Sequence, residues 1–128
     1  MKLRAFLVED NEIIRNNLTE TLYELANVEV VGTAARETDA VEWLGANEDN
    51  WSVAIVDLFL LEGSGIGVIA ACRDRKPFQK VAVVTNYATA AMRRRCLDCG
   101  ADAVFDKSTE LDALLDYCVA TSGAEQAA

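Results

Sequence analysis

Four short apolar runs in this chain each lead to a residue able to handle a phosphoryl group or a metal ion. Leu3, Ala5, Phe6, Leu7 and Val8 run into Glu9 and Asp10; Val53 to Val56 runs into Asp57. Val81 to Val84 runs into Thr85, and Val104 and Phe105 lead, one residue later, to Lys107. Short, β-branched, nearly unbroken apolar runs read as buried parallel strands. The carboxyl ends of parallel strands share one edge of the sheet, which is where open α/β sheets bind ligands. Three carboxylates, a hydroxyl and an ammonium therefore meet in one cleft. That set suits a divalent cation and a phosphorylated carboxylate.

Between the runs the pattern is helical, so the chain alternates strand and helix and predicts a parallel sheet with helices on both faces. Asn11 is placed to cap a first helix with the stripe Ile14, Leu18, Leu22 and Leu25. Val28 to Val31 reads as a second strand ended by Gly32. Ala40, Val41 and Leu44 mark the next helix. A loop with Gly63 and Gly65 leads to a helix through Ile66, Ile69 and Cys72, stopped before Pro77. A helix of about ten residues, terminated at Gly100, follows Thr85. The last helix is expected to start at Ser108 or Thr109 and carries Leu111, Leu114, Leu115, Cys118 and Val119. One domain over residues 1–121 is expected, with 122–128 as a short flexible tail.

Composition narrows the function classes. A length of 128 residues fits one core. No apolar run is long enough to span a membrane, and the amino terminus lacks a signal-peptide layout, so a cytoplasmic protein with no membrane contact is expected. The net charge of −9 opposes direct nucleic-acid binding. Cys72, Cys96, Cys99 and Cys118 sit in helical patterns and read as reduced thiols.

With these residues in place, the chain resembles the CheY-like receiver domains of two-component response regulators over nearly its whole length. The resemblance is carried by Glu9-Asp10, Asp57, Gly65, Thr85, Gly100-Ala101-Asp102 and Lys107 in that order. It implies a flavodoxin-like (βα)5 doubly wound parallel sheet with strand order 2-1-3-4-5. It further implies that Asp57 is the phosphoacceptor and that Mg²⁺ is the cofactor. Asp10, Asp57 and the backbone carbonyl of Phe59 would ligate the metal, and Glu9 would act through a bound water. Thr85 and Lys107 would contact phosphoryl oxygens. The physics agrees: a carboxylate can attack phosphorus, and phosphoryl transfer needs mainly positioning and charge neutralisation. The implied partners are a sensor histidine kinase or phosphotransfer protein, and a downstream target or homodimer through the face of helix 4, strand 5 and helix 5. The implied role is a signalling switch without a separate turnover substrate.

Each residue also has a plainer explanation. Acids after a strand are common in solvated turns, Thr85 alone could be a helix cap, and Lys107 alone a surface lysine. Asp57 differs, because a lone acid inside the apolar stretch Ala54 to Leu61 is costly unless paired. The joint spacing decides for the site. Cys96-Leu97-Asp98-Cys99 lies in a helix and reads as structure, since zinc and redox motifs need another context. Arg93, Arg94 and Arg95 read as a solvated helix face. Gly63, Gly65 and Gly67 lack the Lys-Ser/Thr of a phosphate loop, and Trp43 and Trp51 read as packing residues.

Three positions depart from the family pattern. Ser108 follows Lys107 where proline is usual, Val104 stands where an aromatic switch residue is usual, and Leu61 stands where proline is common. Phe105 is adjacent to Val104 but faces the other side of the strand, so output is expected through loop and helix shifts. Phe59 and Tyr87 are expected to flank the approach to the acceptor. A haloacid-dehalogenase-type phosphatase would need Asp-x-Asp where the chain has Asp10-Asn11-Glu12. A flavodoxin-like cofactor module would meet Glu9-Asp10 where FMN phosphate binds, and a cobalamin domain would need a His the chain lacks. The chain ends about one helix after Lys107, without room for a DNA-binding domain. A stand-alone receiver, or the receiver fragment of a larger DNA-binding regulator, is therefore expected.

Overall fold

The computed structural model describes residues 3–127, with side-chain surroundings given for residues 3–122. Five strands alternate with five helices: β1 Leu3–Val8, α1 Glu12–Ala26, β2 Val28–Ala34, α2 Glu37–Ala46, β3 Val53–Asp57, α3 Gly65–Ala71, β4 Lys80–Thr85, α4 Ala90–Asp98, β5 Ala103–Asp106 and α5 Leu111–Ala127. The strands form one parallel sheet in the order β2-β1-β3-β4-β5. This is the flavodoxin-like arrangement, with the order reversing between β1 and β3.

Strand alternation splits the core into two layers. Phe6, Val8, Ala54, Val56, Val81, Val83 and Val104 face α2, α3 and α4, where Ala40, Leu44, Val68, Ile69 and Cys96 pack on them. Leu3, Ala5, Leu7, Val53, Ile55, Ala82, Val84 and Phe105 face α1 and α5, where Leu18, Leu22, Ala26, Leu114, Leu115 and Cys118 cover them. The three inner strands are thus buried on both faces, which is why they read as continuous apolar runs.

Four local expectations shift. Gly32 does not end the second strand, which continues to Ala34. It lies beside a register shift and directly under Trp43, whose ring stacks on Phe6 with centroids 4.1 Å apart; a Cβ at Gly32 would enter that ring. Near the end of α1, Ala26 is buried while Leu25 is exposed. The last helix begins at Leu111, because the Asp106 carboxylate first takes the Ser108 and Thr109 N–H groups in a turn. That helix continues to Ala127, so residues 122–127 of the expected tail are helical; Ala128 lies outside the described residues. Asn11 does cap α1, accepting the Ile14 N–H at 3.0 Å, and Gly100 follows α4 with φ +116°.

Candidate phosphoacceptor and metal site

The carboxyl ends of β1, β3, β4 and β5 bring Glu9, Asp10, Asp57, Thr85 and Lys107 to one edge of the sheet. Carboxylate oxygens of Glu9, Asp10 and Asp57 all lie within 4.8 Å of one another. Glu9 and Asp57 are buried and Asp10 is exposed. Three acids packed so closely repel, and the ammonium of Lys107 pairs with two of them, Glu9 and Asp57. Its Nζ donates to Asp57 Oδ2 at 2.9 Å and is also paired with Glu9 Oε1. Burial pulls the Lys107 ammonium down, but the hydrogen bonds and charges of Glu9 and Asp57 more than offset that pull. Its pKa therefore stands above the ordinary lysine value, and it is charged at neutral pH. The Asp10 carboxyl is pushed up, first by loss of solvent at the cluster and then by the hydrogen bond and charge of Glu9. That holds even though much of the residue is exposed, because its carboxyl end lies against the other acids.

The surrounding backbone fixes these groups. Glu9 Oε2 accepts the Asn11 N–H at 3.1 Å, and the Arg15 guanidinium donates to the Glu9 carbonyl at 2.9 Å. Glu9 Oε1 meets the Lys107 ammonium as an ion pair. Thr85 is fully buried, and its Oγ1 accepts the Tyr87 N–H at 3.1 Å. With that lone pair engaged, the hydroxyl proton remains available to donate. The Lys107 N–H donates to the Thr85 carbonyl at 2.9 Å, which ties the two strand ends together. Gly65 packs on the Asp57 carbonyl so closely that a Cβ would collide with it.

The donor set fits a hard divalent cation. Mg²⁺ takes oxygen ligands, usually one or two carboxylates with several waters kept. Glu9, Asp10, Asp57 and the Phe59 carbonyl all offer oxygen, and the three carboxylates bring theirs within 4.8 Å of one another. A cation there would also offset the repulsion among the acids.

Of the positions expected to act in switching and access, Val104 belongs to the layer under α4, while Phe105 belongs to the layer under α5 and meets Tyr117 edge-on at 5.6 Å. Phe105 therefore cannot substitute for an aromatic on the Val104 face. Phe59 and Tyr87 meet edge-to-face with ring centroids 5.1 Å apart. The roles of two residues were not evident in the sequence. Arg93 is not part of a solvated face: it donates to the Ala88 carbonyl and the Val104 carbonyl, each at 2.9 Å, and pairs with Glu110 at 2.5 Å. Glu37 accepts the Ser64 N–H at 2.8 Å. Neither stood out, because Arg93 lies in a run of three arginines and Glu37 among ordinary helix acids. Cys96 is buried, and Cys99 follows it at the end of α4.

The profile of the family described as the response regulator receiver domain matches residues 5–118. The response regulator protein VraR of Staphylococcus aureus is 26% identical over 125 residues, which is 98% of this chain and 59% of VraR. The chain thus spans about three-fifths of the length of these curated relatives. The signal receiver domain of the putative response regulator NarL from Mycobacterium tuberculosis superposes with a TM-score of 0.77 at 25% identity, covering 91% of this chain and 96% of that one. A response regulator protein from Burkholderia pseudomallei, solved with a phosphorylated aspartic acid, a calcium ion and citrate, gives 0.76 at 25% identity over 98% of this chain and 74% of that one.

Proposed function

Because the chain belongs to the response regulator receiver family, we propose that it is a signalling switch phosphorylated on Asp57 in a Mg²⁺-dependent reaction. The phosphodonor is the phosphohistidine of a partner kinase or phosphotransfer protein. The observation that carries this reading is the buried Asp57 carboxylate at the end of β3, held by Lys107 at 2.9 Å beside Glu9 and Asp10. The phosphorylated aspartic acid and calcium ion of the Burkholderia pseudomallei relative support it. Receiver domains bind Mg²⁺ at an acidic pocket and act as switches, so no separate turnover substrate is assigned.

An Asp57 carboxylate oxygen attacks phosphorus; the new O–P bond forms as the P–N bond to the donor histidine breaks, and the imidazole leaves. When bound, Mg²⁺ would supply positive charge that neutralises the phosphoryl oxygens. Asp10, Asp57 and the Phe59 carbonyl would hold it, with Glu9 acting through water. Lys107 moves its ammonium charge from the carboxylates onto a phosphoryl oxygen, and the free Thr85 proton donates to another. Both movements pull on the same backbone, since the Lys107 N–H is bonded to the Thr85 carbonyl. The face of α4, β5 and α5 is where the change is read out by a protein partner or a second copy. Arg93 lies there, joined to the β5 carbonyl of Val104 and to Glu110.

Acetyl phosphate with and without Mg²⁺ tests the reading. Phosphate incorporation is expected in the parent with Mg²⁺ only, and not in Asp57→Asn. Undiminished incorporation in Asp57→Asn overturns it. Amide shifts on adding beryllofluoride should spread across α4, β5 and α5; shifts confined to the acid cluster would contradict the output face.

A further inference from the structure

The loop between β3 and α3, residues 58–64, has no regular ladder to hold it. It closes on itself by an isolated antiparallel bridge between Phe59 and Ser64, with the Gly65 N–H donating to the Leu58 carbonyl at 2.9 Å. Its other anchor comes from the start of α2. Glu37 Oε1 accepts the Ser64 N–H at 2.8 Å, and the Glu37 N–H donates to the Glu62 carbonyl at 2.9 Å. The Leu61 N–H reaches the Ala35 carbonyl at 3.3 Å. Two glycines make room for this side chain. At Gly63, with φ +81°, a Cβ would strike the Glu37 Cβ; at Gly67 a Cβ would strike its carboxylate. Glu37 is half-buried in that notch.

The loop that Glu37 holds is the one that presents the Phe59 backbone carbonyl. A carbonyl serves a small cation with strict geometry only if its peptide is held still. Ser64, the residue whose N–H Glu37 takes, is the bridge partner of Phe59. We propose that Glu37 is a positioning residue for the divalent-cation site: its hydrogen bond to Ser64 fixes the loop so that the Phe59 carbonyl points at the metal position. Gly63 and Gly67 are glycines because that carboxylate occupies the space of their side chains. The inference rests on the metal site proposed above.

Mg²⁺ affinity measured by calorimetry on the parent and three variants tests it, together with the amide signals of Phe59 and Ser64. Glu37→Ala removes the acceptor and should weaken Mg²⁺ binding about tenfold, as loss of outer-shell partners does. Its Ser64 amide should lose its hydrogen-bonded shift. Glu37→Gln keeps an acceptor oxygen in the same place and should restore both the affinity and the shift. Gly67→Ala displaces the carboxylate and should weaken binding as Glu37→Ala does, although alanine favours the helix there, so that loss cannot be read as unfolding. Parent-like affinity in Glu37→Ala or in Gly67→Ala overturns the proposal. So does Glu37→Gln binding as weakly as Glu37→Ala, which would assign the effect to charge. A parent chain that binds no Mg²⁺ overturns instead the metal site on which the proposal rests.

Discussion

Removing the aromatic pair beside Asp57 should shorten the life of the acyl phosphate. Phe59 is two residues beyond Asp57 and Tyr87 two beyond Thr85, and their rings meet edge-to-face at 5.1 Å and 69° across the ends of β3 and β4. Hydrolysis needs a water in line with phosphorus, and apolar rings at that approach hinder it. Edge-to-face pairs contribute about 0.5–1.5 kcal/mol beyond burial. Both rings are more than half exposed, at 54% and 60%, so the lower part of that range applies. About 0.5–1 kcal/mol corresponds to a two- to fivefold change in how often the approach is open. Replacing Phe59 by Asn and Tyr87 by Glu also supplies groups that orient water, and the combined effect should be about tenfold, or 1.4 kcal/mol of barrier. The Phe59 carbonyl stays in place, so metal binding should be little changed. Phosphate release from protein freed of donor would be followed in Mg²⁺ buffer. Because either substitution alone breaks the pair, Phe59→Ala and Tyr87→Ala should be non-additive in a double-mutant cycle. A double variant that loses phosphate no faster than the parent refutes the shielding argument, and strict additivity refutes the pairing.

Three further outcomes follow from the packing and the charges. Gly65→Ala should lower stability by about 1–3 kcal/mol in urea unfolding, the cost of forcing atoms into a filled site, because its Cβ would meet the Asp57 and Leu58 backbone; unchanged stability would refute that contact. Burial pushes the Cys72 thiol up to about 11 and the Cys118 thiol up to about 12, and raises Cys96 as well. Native protein at pH 8 should therefore react rapidly with a thiol reagent only at half-buried Cys99, and rapid reaction of all four would contradict the core packing. The Glu110 carboxyl is held below its ordinary value of 4.5, first by the Arg93 hydrogen bond and then by the Asp106 N–H. A depressed carboxylate contributes stability that is present above its unfolded pKa and lost as pH falls through the folded one. Slow exchange of the Arg93 Nη2 protons bonded to Glu110 should accordingly disappear only below pH 4.5; loss with a midpoint at or above that value would contradict the tie.

The strands and the gathering of residues at their carboxyl ends were legible because a doubly wound sheet writes both in local sequence. Strands buried on two faces appear as apolar blocks, and the rule that ligands meet at carboxyl ends gathers Glu9, Asp10, Asp57, Thr85 and Lys107 before any contact is known. What was not legible depends on partners far along the chain. Gly32 looked like a terminator because a glycine's local meaning is a turn, whereas its cause is the Trp43 ring arriving from α2. Leu25 was expected inside on hydrophobicity, but the last turn of α1 aims Ala26 inward instead. The anchor of Glu37 lies 27 residues away at Ser64, and that of Arg93 lies 17 away at Glu110. Nothing in either residue's neighbourhood marks it out. The tie of Arg93 to the Val104 carbonyl also gives α4 a link to β5 that does not depend on an aromatic side chain at position 104.

If the acid cluster at the sheet edge receives a phosphoryl group, it does so on one particular carboxylate. Borohydride reduction of protein treated with acetyl phosphate and Mg²⁺ marks the acylated residue, and peptide mass spectrometry then locates it. A single mark is expected, at Asp57, and it should disappear when Mg²⁺ is chelated before the donor is added. A mark at Glu9 or Asp10, or no mark in protein that folds and binds Mg²⁺, would contradict it.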